Sequence, residues 1–204
     1  MSRRFRWLQV AVVSLSLART FALAQGPETD DISNARKLYN SGKWSEAEKS
    51  FTSIVRAHPD NIGAQMFLGQ VLFIEQKFSA AIAPYERVRG LEKEGTKLTL
   101  TQHRILSDQL AMAYGISGRT ADSKALLQES VKTDPSYPLN YYNLACVAAD
   151  ENDKAGVLKN LSLAFQHKDQ VLTGEQMPNP ASDSSFKKYA ADADFKALVA
   201  RLAS

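Results

Sequence analysis

Three histidines and one cysteine are the side chains of this 204-residue chain best suited to bind a metal or act as a base or nucleophile. His58, His103 and His167 fall at a turn, at the edge of a polar insertion and at a helix end, without metal-ligand spacing to one another or to Cys146. Surface and capping roles account for all three. Cys146 lies inside Leu144-Ala145-Cys146-Val147, the setting of a small buried hydrophobe, and a single cysteine excludes an intramolecular disulfide. Gly115-Ile116-Ser117-Gly118 has neither the spacing nor the strand-turn-helix setting of a nucleophile elbow and reads as a helix stop. Asp150-Glu151-Asn152-Asp153 has the acidity of a calcium loop but lacks the later bidentate Glu, and it stands where a turn is needed. The expectation is therefore no catalytic residue, no metal and no cofactor. What remains is binding by apolar and aromatic side chains, so the question passes to the elements that carry them.

From Ala35 to Asn61 the chain reads as two short amphipathic helices either side of Gly42, with Ala35 and Leu38 before it and Ala47, Phe51, Ile54 and Val55 after it. One such hairpin cannot bury its own apolar face, and at a step of 34 residues it recurs: Ala35 maps onto Gly69, Trp44 onto Phe78, Ala47 onto Ala81 and Phe51 onto Tyr85. Ser45 with Glu48 is expected to cap one second helix and Ser79 the next, while Pro84 should bend that helix without ending it. Between the second and third pairs the step lengthens to 42 residues around Gly90–Thr101, as a longer turn or as added turns on the flanking helices. The 34-residue step then returns, with Leu110, Ala111 and Leu127 mapping onto Leu144, Ala145 and Leu161. The expected pairs are 31–61, 62–95, 104–137 and 138–168. Residues 169–204 form a Pro- and Asn-rich link and two short helices that cap the last apolar face.

Residues 1–24 have the form of an export signal: Arg3, Arg4 and Arg6, an apolar run from Leu8 to Ala18, and Ala22-Leu23-Ala24 as a cleavage site before a flexible start at 25–30. An uncleaved anchor is the alternative, disfavoured because Arg19 cuts the run short. Ser2-Arg3-Arg4 leaves both the general and the twin-arginine route open. The leader holds four of the 25 basic residues and none of the 22 acidic ones, so the remainder carries about −1. That removes the electrostatic case for nucleic acid. No later segment approaches a membrane span, and no cysteine at the junction offers a lipid anchor. The expected product is periplasmic or secreted from a bacterium, without a stable membrane span after leader cleavage.

A small residue after Leu, Ala-x-x-x-Phe/Tyr in the second helix and a closing Pro resemble tetratricopeptide repeats. Leu68, Gly69, Ala81 and Tyr85 carry the likeness in the second pair, Ala35, Ala47, Phe51 and Pro59 in the first, and Leu144, Ala145 and Ala164 in the fourth. The third is poorest, with Ser123 and Leu127 at the Ala and aromatic positions, though Pro135 is in place. The resemblance implies an all-α fold, a right-handed α-solenoid of about four helix-turn-helix repeats with a helical C-terminal cap, whose first helices line an inner groove. That lining would be Ile32, Arg36, Tyr39 and Asn40; Met66, Gln70, Phe73 and Ile74; Asp108, Met112 and Ile116; and Tyr142 and Cys146. Tyr39, Phe73 and Tyr142 would be the aromatic anchors. A clamp for a partner's C-terminal carboxylate is disfavoured, since only Arg36 fits it while Phe67, Asp108 and Met112 fill the other places. The function implied is a protein-interaction adaptor that holds a partner peptide or helix. A small-ligand or glycan-binding protein using the same groove is the alternative, and an enzyme with a site in the insertion and tail ranks below both. Monomer and self-association stay equally open.

Overall fold

The computed structural model describes residues 30–202. The expected leader and all of the expected linker except Asp30 lie outside them. Every regular element among the described residues is helical: α1 (Asp30–Asn40), α2 (Trp44–Ala57), α3 (Ile62–Ile74), α4 (Phe78–Lys93), α5 (Leu100–Ile116), α6 (Thr120–Thr133), α7 (Pro138–Asp150), α8 (Lys154–Gln166) and α9 (Ala193–Leu202), with short 3-10 turns at Lys168–Gln170 and Ser184–Tyr189. They fall into two compact units, 30–113 and 114–202, divided inside α5.

In the first unit α1 packs on α2, α2 on α3 and α3 on α4, and α1 also touches α3. In the second, α6 packs on α7, α7 on α8 and on the 3-10 turn Ser184–Tyr189, and α8 on α9. The repeat is visible in what these contacts bury. The second-helix pairs Ala47/Phe51, Ala81/Tyr85, Ser123/Leu127 and Val157/Leu161 are all 0% exposed, as are Ala35, Ala111 and Ala145 on the first helices. Full burial of one such large side chain stabilises by roughly 1.5–3 kcal/mol. Gly69 takes the same first-helix position because nothing larger fits: a Cβ there would come within 2.5 Å of Tyr85 Cε1. The Tyr85 hydroxyl, at the far side of that ring, donates to Gln109 Oε1. Phe67 stacks on Phe51, with ring centroids 5.1 Å apart, and meets Tyr39 edge-on at 5.2 Å.

Four turns inside the hairpins share one geometry. After α1, Lys43 N–H bonds Leu38 O and Gly42 N–H bonds Tyr39 O, both at 3.0 Å, with Gly42 in the left-handed region at φ +71°. Gln76, Gly118 and Asn152 close α3, α5 and α7 with equivalent bonds at φ +60°, +83° and +62°. This turn sets where the second helices begin. They start one residue before the expected serine caps, so Ser45 and Ser79 lie inside α2 and α4, whose N-cap residues Lys43 and Lys77 make no side-chain cap bond. The capping box is absent, and Glu48 instead pairs with Lys77 at 2.6 Å. The inserted residues of the 42-residue step mostly lengthen helices: α4 has 16 residues and α5 has 17, against 13 in α3 and in α7. α4 runs unbroken through Pro84.

Two substitutions test this account. Ser123 Oγ is buried without a hydrogen-bond partner among the described residues, at a position that is Ala in the first two repeats, so Ser123→Ala should stabilise the chain by about 1 kcal/mol and raise Tm by about 2–4 °C. Gln76→Gly relieves a left-handed backbone that disfavours a Cβ and should add about 0.5–1 kcal/mol. Urea unfolding followed by circular dichroism checks both, and a loss of stability in either variant contradicts the packing or the turn geometry described.

Candidate functional site

The first-helix face is best followed one unit at a time. In 30–113, α1 presents Arg36 half-buried and Asn40 exposed, α3 presents Phe73 and Ile74 half-buried, and α5 presents Asp108 half-buried. The guanidinium of Arg36 lies 5.8 Å from the centre of the Phe67 ring, and Phe73 meets Phe78 edge-on at 5.1 Å. α3 supplies this face for a sequence reason. Its residues from Ala64 to Leu72 are all buried, with apolar residues all round, and only Phe73 and Ile74 at its end emerge partway.

Several of the thirteen expected lining residues are buried in packing. Tyr39, Met66, Gln70 and Met112 are buried in the first unit and Tyr142 in the second. Tyr39 sits edge-on between Trp44 and Phe67, both at 5.2 Å, and burial pushes its hydroxyl up to about 12. It stabilises the first hairpin and offers no face to a partner. Tyr142 is covered by the tail: its hydroxyl donates to Asp183 Oδ2 at 2.8 Å, and Phe186 packs edge-on to it at 5.7 Å. Ile116 and Cys146, also expected in the lining, belong to the same cluster as Tyr142, Phe186, Phe195 and Leu198. The one aromatic anchor left accessible is Phe73.

The chemistry-bearing residues are placed as follows. His58 and His167 are the C-terminal caps of α2 and α8. His103 Nδ1 lies 3.0 Å from Glu92 Oε1. Burial raises the Cys146 thiol well above its usual range, the opposite of activation. Asn152 forms the turn after α7, Asp153 caps α8 by accepting from Gly156 N–H at 2.9 Å, and Glu151 pairs with Lys124 at 2.6 Å. Among the described residues no group of three or more His, Cys, Asp or Glu could hold a metal ion, and no helix is long and apolar enough to cross a membrane. A cleft of about 260 Å³ lies between α8 and α9, lined by Ser162, Phe165, Gln166, Lys168, Arg201 and Leu202. It is small beside pockets that enclose a drug-sized ligand and contains none of the expected contact residues.

Asp150 was legible in sequence only as part of a turn. Partial burial of its carboxyl, on an otherwise exposed residue at the C-terminal end of α7, pushes it up to about 6, with Glu151 adding to the rise and Lys188 opposing it. A carboxylate there also faces the negative end of the helix dipole. Because the folded state holds the proton more tightly, the stability linked to Asp150 is full below the ordinary carboxyl value and is lost as pH rises through about 6. Asp150→Asn should therefore stabilise the chain at pH 7–8 by about 1 kcal/mol after solvent screening, and make no difference near pH 4. Urea midpoints measured across that range check the sign, and an equal effect at both ends refutes the assignment.

Residues 33–93 match the sequence model of the tetratricopeptide repeat family. A crystal structure of MamA superposes with a TM-score of 0.62 at 14% identity, over 89% of this chain and 96% of that one. MamA 41-end from Desulfovibrio magneticus RS-1 gives 0.58 at 16% identity, over 67% and 73%, and MamA MSR-1 C2 gives 0.59 at 13%, over 72% and 82%. At these identities the likeness establishes the fold. No curated protein matches the sequence.

Proposed function

We propose, from the match of residues 33–93 to the tetratricopeptide repeat model, that the chain is an exported interaction scaffold that holds a partner peptide or helix on the first-helix face of residues 30–113. The supporting observation is Phe73 with Ile74, two large apolar side chains left half-buried at the end of a helix that is otherwise buried. Asn40 of α1 stands at the repeat position equivalent to Ile74, and α1 touches α3. An apolar anchor with polar neighbours suits an extended or helical segment of a protein. The scaffold acts by binding alone. Export rests on the basic and apolar leader with its small-residue junction, and the near-neutral remainder argues for protein partners over nucleic acid.

Phe73→Asp, with Ile74→Asp as a second variant, places a carboxylate where the partner's apolar side chain would seat. Crosslinking in the envelope of the producing cell should give a protein adduct with the unaltered chain that falls at least tenfold in both variants while helicity by circular dichroism is kept. An adduct of unchanged yield in folded Phe73→Asp and Ile74→Asp chains would remove this face from the account.

A further inference from the structure

The fourth hairpin carries a seat that is already occupied. Tyr142 and Cys146 on α7 stand at the repeat positions held by Met66 and Gln70 on α3 and by Asp108 and Met112 on α5. Both are covered, at 1% and 2% exposure, and the tail segment Asp183–Tyr189 lies against α7 where they sit. Its grip is made by side chains. Asp183 accepts the Tyr142 hydroxyl at 2.8 Å. Phe186, 1% exposed, inserts beside the Tyr142 ring. Lys188 Nζ donates to Ala149 O and, at 2.6 Å, to Asn152 Oδ1 just past the end of α7. The backbone bonds of this stretch stay local, as in Phe186 N–H to Asp183 O and Ala190 N–H to Lys187 O. These contacts with α7 therefore do not depend on the segment belonging to the same chain, while Phe195 of α9 completes the seat of Phe186 at 5.8 Å. An acidic residue, an aromatic three places later and a lysine two places after that would make the same contacts from any polypeptide.

We propose that residues 183–188 are a resident ligand of α7, and that a partner segment with the pattern acidic-x-x-aromatic-x-Lys exchanges with them. The proposal rests on the reading that first helices present the recognising face. It concerns a different helix from the one altered by Phe73→Asp, so the two can fail separately. Displacement uncovers the chain's single thiol, Cys146, which serves as the reporter.

The test uses the full chain and two readouts. The first is the rate of Cys146 labelling by a soluble disulfide reagent as urea is raised from zero to below the unfolding transition. The second is anisotropy of a fluorescent peptide spanning residues 181–192. Labelling through tail opening is nearly independent of urea in this range, and Lys188→Met, which removes the grip on Ala149 and Asn152, should speed it about tenfold with the unfolding midpoint little changed. The peptide should bind the Lys188→Met chain about tenfold more tightly than the unaltered chain, because the resident segment competes less, and a peptide with Phe186→Ala should not bind. Labelling with the same urea dependence as global unfolding, or a peptide that fails to bind the Lys188→Met chain, overturns the proposal.

Discussion

The contact of a first-helix residue with almost no side chain against a large ring on the second helix is the constraint on which the second hairpin depends, and the other hairpins keep the same small residue on the first helix and a large buried one on the second. Gly69 and Tyr85 show it at its limit, since even a methyl group would overlap the ring. Ala35, Ala111 and Ala145 hold the equivalent positions at complete burial. Close approach there lets a 13- to 17-residue helix bury one face on its own partner and another on the next hairpin. The surface left over, on the first helices, is what such a hairpin has available for recognition.

The turns impose the second regularity. A single left-handed residue reverses the chain and leaves one residue before the next helix, whether that residue is Gly42, Gln76, Gly118 or Asn152. The two glycines and the turn at 150–153 that holds Asn152 were readable as stops, whereas Gln76 was not, because a left-handed Gln is tolerated by surrounding bonds and not announced by its own chemistry. The serine caps were misplaced for the same reason. The turn length fixes the start of the helix, and neither Lys43 nor Lys77 has a side-chain oxygen to offer.

Much of the fold could be read from residue spacing. The 34-residue step placed all four hairpins, and the 42-residue step marked where α4 and α5 grow. Spacing put the expected contact face on the first helices, but it could not say which of their side chains stay accessible. Tyr39 is lost to an aromatic cluster formed with Trp44 and Phe67, a matter of ring packing that periodicity does not encode. Tyr142 is lost to residues about 40 positions downstream; the need to cover the last apolar face announced a cap there, but not which side chains it would cover. Phe73 and Ile74 survive because the apolar run of α3 outlasts the neighbours that bury the rest of it.

The distance along the chain between α7 and its cover matters for biogenesis. The bonds that tie the tail down join residues 36 to 41 positions apart, as in Lys188 to Asn152, Tyr137 to Glu175, Lys154 to Asp192 and Tyr142 to Asp183. A chain still being synthesised has α7 and α8 clear of the exit before Phe186, Phe195 and Leu198 arrive. During that interval the fourth hairpin shows an oily flank to its surroundings, which makes it the natural point of engagement for chaperones and, in prematurely stopped chains, for proteases.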